Sequence, residues 1–198
     1  MKVMLVDENP GRSALLKQAL RDAGYEVVST VKSGSNLFNE LQKEPVDVIL
    51  IDMSSPDRDL LEHLSLIHRK QPKPVILFAD DDDSSIIHAA VKAGVSAYVV
   101  DGFNQSRVKA IMTVAIARFR EYQAMREELE GVKVKLAERK SIEKAKGLLM
   151  QYKGWDEQMA YQTLRKLAMD KNKKIAEIAE QLINTAELLL TESGRVKK

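Results

Sequence analysis

The chain has no cysteine. That removes any disulfide framework and any zinc site built on thiolates. Proline is sparse, with five residues in 198, and aromatic residues make up 5%. Proline-rich, collagen-like and low-complexity architectures do not fit that composition. No apolar run approaches the roughly 18 residues that a membrane-spanning helix needs. The first residues, Met1-Lys2-Val3-Met4-Leu5-Val6-Asp7, run from a strand-like stretch straight into acid, which is not a signal peptide. The expectation is a cytoplasmic protein with no membrane contact. Catalytic groupings are missing too. His63, His68 and His88 are scattered without metal-ligand spacing, and Ser13, Ser54 and Ser55 lack histidine–acid partners. The reading is therefore of a non-enzyme.

What the chain does have is a solid apolar fraction, 44%, with 30% charged residues. That supports one large domain or two small ones. The net charge of +2 is unevenly spread. Residues 1–110 carry 13 Lys and Arg against 16 Asp and Glu, while residues 138–198 carry 13 against 9. An acidic head and a basic tail suit an effector that meets a polyanion.

Over residues 1–110 short apolar runs alternate with helical periodicity. Val3 to Val6, Glu26 to Val28, Val46 to Ile51, Val75 to Phe78 and Ala97 to Val100 read as strands. Helical spacing fills the gaps, with Gly24 and Gly94 at helix ends. Five βα units imply an α/β fold with a parallel sheet. Its binding crevice lies at the carboxyl ends of the strands. Asp7, Glu8 and Asp52 fall there, a hard oxygen set suited to Mg²⁺. An Asp beside such an ion can attack a phosphoryl donor.

These features resemble a response-regulator receiver, a flavodoxin-like fold, with Asp52 at the phospho-acceptor position and Pro56 four residues on. Two positions depart from that family. Ala79 stands where the family has a hydroxyl, and Asp101, with Gly102 beside it, where the family has lysine and proline. An anion in place of a cation opposes an acyl phosphate. The resemblance thus implies a degenerate receiver in which Asp7, Glu8 and Asp52 hold Mg²⁺ weakly or are vestigial. No cofactor is required.

From about Asn104 the pattern is helical. Ile111, Ala115, Tyr122, Met125, Leu129, Val132 and Leu136, with Arg118 among them, step by fours and threes. That matches a coiled-coil seam over residues 111–137 and predicts a homodimer.

Residues 138–192 read as a small three-helix module. Its motif, AKGLLM, a turn at Lys153-Gly154, then AY..LR..AM, resembles the ANTAR family of AmiR and NasT type antitermination domains. Lys144, Lys146, Tyr161, Arg165 and Lys166 offer phosphate-neutralising cations and a ring for stacking. The resemblance implies leader-RNA hairpins as ligand, bound so that a terminator cannot form. Asp52 to Glu62, Pro74 to Phe78 and the acid run Asp80 to Asp83 resemble the NasT branch. That branch implies control of nitrate or nitrite assimilation through a nitrate-sensing protein partner. The competing reading is a phosphorylation-driven regulator whose helices bind duplex DNA, or only protein.

Overall fold

The computed structural model describes residues 1–7, 9–32, 35–100 and 104–193. The chain divides into two compact units, Met1–Ala124 and Met125–Lys198. In the first, strands and helices alternate as β1 (Lys2–Asp7), α1 (Pro10–Asp22), β2 (Glu26–Val31), α2 (Leu37–Leu41), β3 (Val48–Met53), α3 (Arg58–Lys70), β4 (Val75–Ala79), α4 (Ser84–Lys92) and β5 (Ala97–Val99). The five strands form one parallel sheet in the order β2-β1-β3-β4-β5. This is the receiver-type α/β sheet that the alternating pattern predicts.

The central strands β3 and β4 are buried along their whole length, which is why they read as unbroken apolar runs. Successive side chains take opposite faces. Val3, Leu5, Val48, Leu50, Ile76 and Phe78 pack with Leu16, Ala19 and Leu20 of α1. Met4, Val6, Ile49, Ile51, Val75 and Leu77 pack with α2, α3 and Ala90 of α4. At Gly94 the backbone has φ +102°, and a Cβ there would stand 2.5 Å from the His68 ring. Only glycine satisfies both conditions.

Helix α5 runs from Val108 to Lys153, 46 residues without a break, passing through Gly131. Its first turns belong to the sheet: Val108, Met112, Ala115 and Ile116 are buried on the α1 face, with Ile111 packed beside them. This corrects the expected coiled-coil seam. Ala115 and Ile111 complete the core of their own domain and are not presented to a second chain. Tyr122 is 55% exposed and its ring lies 6.0 Å from that of His68. Met125, Leu129, Val132 and Leu136 remain more than half exposed, a stripe of heptad spacing with nothing over it among the described residues.

The second unit packs the end of α5 against α6 (Glu157–Asp170) and α7 (Ile175–Ser193). Ala145, Leu164, Ala168, Ile178, Ala179 and Ile183 form its core, with Ile142, Leu148, Leu149, Ile175 and Leu182 at the edge. Gly154, at φ +66°, lets the chain leave α5, and its N–H closes back on the Met150 carbonyl at 3.1 Å. Asp156 then caps α6, accepting the Met159 N–H at 2.6 Å. A Cβ on Gly147 would meet nothing within 4 Å, so that glycine serves no close helix approach. On α6 the buried residues are Ala160, Leu164 and Ala168, while Met159 and Leu167 are exposed. Among the described residues no helix is long and apolar enough to cross a membrane.

Candidate functional site

Asp7 and Asp52 are the closing residues of neighbouring strands and pair in register. Both are buried, Asp7 to 7% exposure and Asp52 to 2%. The loop after β1 determines what they meet. Asn9 caps α1 by accepting the N–H groups of Gly11 and Arg12 at 2.9 and 3.3 Å. That cap starts the helix with Arg12 in its first turn, within reach of β3. Nη2 of Arg12 donates to Oδ1 of Asp52 at 3.1 Å. Nε stands 3.0 Å from Oδ2, near enough for charge attraction but without a hydrogen bond. Burial pushes the Asp52 carboxyl above the usual carboxylate range; Arg12 opposes that shift, while Asp7 and then Asp80 reinforce it.

One of the departures read from the sequence falls within the described residues. Ala79 ends β4, fully buried, and brings a methyl where a hydroxyl would be needed. Oδ1 of Asp7 accepts the Asn9 N–H at 2.8 Å, and its Oδ2 is buried with no bond among the described residues. Glu8, Asp101 and Gly102 lie outside the described residues. Among the described residues no group of three acids or histidines is placed to hold a metal ion.

The acid run after β4 has a structural task. Asp83 caps α4 by accepting the Ser85 N–H at 2.7 Å. Asp81 accepts from the Ser55 hydroxyl at 2.7 Å, and its carbonyl accepts from the Tyr98 hydroxyl at 2.8 Å. Asp80 and Asp81 both donate their N–H to the Ser54 carbonyl. The loops after β3 and β4 are thereby tied together, with Tyr98 of β5 as a third anchor. Neither Arg12 nor Tyr98 stands out in the sequence, since nothing in local spacing links position 12 to 52 or 98 to 81.

The five helical-end candidates separate into two groups. Lys146 has a side chain only 9% exposed, and its Nζ lies 2.6 Å from Glu157 and 2.9 Å from Glu143. Those carboxylates hold its ammonium above the ordinary lysine range, Glu157 first. It ties α5 to the first turn of α6. Unlike the phosphate contact expected of it, its charge is already answered by two carboxylates. Lys144 is exposed but pairs with Glu187 of α7 at 2.7 Å. Tyr161, Arg165 and Lys166 lie together on α6, all exposed, and neither cation is paired among the described residues. Arg165 borders a shallow hollow of about 550 Å³ lined also by Met169, Asn172 and Lys173. Lys173, at the turn before α7, stands on the same hollow.

The comparisons with known proteins agree with both halves. The model "Response regulator receiver domain" matches residues 3–113, and the model "ANTAR domain" matches residues 130–183. The transcriptional regulatory protein PdtaR of Mycobacterium tuberculosis is 29% identical over 170 residues, 86% of this chain and 83% of its own. A nitrate regulatory protein of Klebsiella oxytoca is 42% identical over 80 residues, 40% of this chain and 20% of that one. Among solved structures, the receiver domain of a NarL response regulator from Mycobacterium tuberculosis covers 58% of this chain at 22% identity, with a TM-score of 0.51. That likeness concerns the fold alone.

The sheet, its terminal acids and the matched model define a response regulator. With the helical end included, the chain belongs to the ANTAR response regulators, the AmiR and NasT type, a regulatory family of the RNA-binding antiterminator class.

Proposed function

We propose that this protein binds hairpins in leader RNA and prevents termination there, as an ANTAR-type antiterminator. The observation that carries the reading is the exposed group on α6: an aromatic ring at Tyr161, one turn from the guanidinium of Arg165, with Lys166 beside it. A ring and a guanidinium plane stack on unpaired loop bases, and the cations neutralise backbone phosphates. Lys173 extends the group across the turn before α7. Lys144 adds charge from α5 only if Glu187 releases it.

The active form is a homodimer joined along Tyr122, Met125, Leu129, Val132 and Leu136. Two modules then meet two hairpins, and the second contact gains from effective concentration. Domain boundaries follow as a receiver over residues 1–110, a connecting coil over 111–137 and an RNA module over 138–192, with the first turns of the coil shared with the receiver core. The nitrate regulatory protein among the relatives favours nitrate or nitrite assimilation genes as the target. A nitrate-sensing partner protein then controls availability in place of a kinase, a division of labour that the substitutions Ala79 and Asp101 support.

The experiment is direct. Full-length protein is titrated with transcripts of the leaders that precede neighbouring operons, and with duplex DNA of matched length. Hairpin RNA should bind in a salt-dependent manner, and Arg165→Ala with Lys166→Ala should weaken that binding and reduce its salt dependence. Equal affinity for the duplex DNA would favour a DNA-binding output and reject this reading.

A further inference from the structure

The receiver crevice poses a problem of charge. Two carboxylates end adjacent, buried strand positions, in register with each other. Buried charge must be paired or neutralised. In the family this is the place for a divalent cation, and Mg²⁺ demands near-octahedral oxygen ligands at about 2.0–2.1 Å. Among the described residues the cation that faces Asp52 is Arg12. Arg12 reaches Asp52 with Nη2 at 3.1 Å from one oxygen and Nε at 3.0 Å from the other. Both oxygens of the acceptor are therefore faced by one guanidinium. The Asn9 cap, which orients the first turn of α1, holds the arginine in position.

The geometry points to Arg12 as a resident counter-ion that takes the place of the divalent cation at Asp52. Asp52 thus has its counter-charge from the protein itself. A metal ion reaches Asp52 only by displacing a charge-assisted contact to both oxygens. Because the guanidinium side chain is 39% exposed, it can leave for solvent, so the exclusion is competitive and not absolute. Arg12 is a positioning residue: it faces Asp52 with a cation and fixes its direction without any added ligand.

The test uses Mn²⁺ as the probe. Its free hexaaqua signal in electron paramagnetic resonance disappears on binding, and the full-length chain can be titrated directly, with Mg²⁺ as competitor. Arg12→Ala should bind Mn²⁺ about tenfold more tightly than the unaltered chain, or better, because the competing cation is gone. Adding Asp52→Asn to Arg12→Ala should remove that gain. Arg12→Gln, which keeps a donor and drops the charge, should behave like Arg12→Ala and decides the matter if the alanine variant fails to fold. Affinities of the unaltered chain and the variant within about twofold of each other, whether tight or weak, would overturn the proposal.

Discussion

Two arginines in this chain show how differently a guanidinium can be used. Arg12 is bent onto a buried acid and touches both of its oxygens. Arg165 lies on α6 beside a tyrosine and a lysine, with no carboxylate on it among the described residues. The first compensates a charge that the fold itself has buried. The second remains available to an outside anion. Which cations can meet a ligand is thus decided by carboxylates already within reach and not by the basic count of a region. The +4 of the helical end overstates its reach, because Lys144, Lys146 and Lys174 each answer a glutamate.

The largest effect expected from that contrast falls on RNA affinity. Arg165→Ala with Lys166→Ala should weaken binding to a leader hairpin by about tenfold to a hundredfold and reduce the salt slope by about two. A filter-binding series at several salt concentrations reads both quantities. An unchanged slope would show that the unpaired cations of α6 do not face phosphate, and the comparison between the two arginines would lose its meaning.

Next comes the exposed stripe on α5. Leu129→Glu places a charge where two copies of α5 would bury a leucine. A coiled-coil seam tolerates that poorly. Sedimentation of the full-length chain should show the dimer dissociation constant rising by about tenfold or more. Hairpin pairs should then bind no better than single hairpins, because the gain from linkage is lost. A substitution at Ala115 is not an equivalent test, since it would damage the sheet core.

The seam also shows where periodicity stops being informative. A heptad pattern runs from Ile111 to Leu136, interrupted at Arg118, yet its first two positions pack into the sheet core while the later ones are bare. Both surfaces are apolar, so the same spacing serves either, and the chain alone cannot say where one gives way to the other. The sheet itself was legible, because β3 and β4 are apolar on both faces and α1 and α4 stop at glycines of positive φ, Gly24 and Gly94. The acids at the strand ends were legible for the same reason. What stayed hidden depends on contacts distant in sequence. Arg12 and Asp52 are 40 residues apart, and Lys146 meets Glu157 across the turn at Gly154. No local pattern records those pairs, so a lysine that fastens two helices looks identical to one that grips RNA.

Lys146 supplies a sharper, smaller test of the same point. Lys146→Ala should lower the melting temperature by a few degrees, since it removes a covered stem and both of its ion pairs. Hairpin affinity, measured well below the transition, should stay within about twofold of the unaltered chain. Calorimetry and binding on one preparation separate the two roles. A large loss of affinity in a fully folded variant would return Lys146 to the ligand surface and merge the groups that the structure divides.

The smallest effect concerns the titration of Asp52. Burial raises its carboxyl above the ordinary value of 3.8, against the opposing pull of Arg12. The folded chain therefore holds this proton more tightly than the unfolded chain does. As pH rises from 3.8 through the raised folded value, the unfolded state binds fewer protons than the native state, and stability falls. The loss is complete above the folded value and fully relieved below 3.8. Asp52→Asn cannot titrate, so urea unfolding of the two proteins across that window should show the unaltered chain gaining on the variant as pH falls. Arg12→Ala removes the one contribution from a cation and should carry the window to higher pH. If the two curves stay parallel throughout, Arg12 compensates Asp52 so completely that burial leaves no trace, and the contrast with the unpaired guanidinium on α6 becomes stronger still.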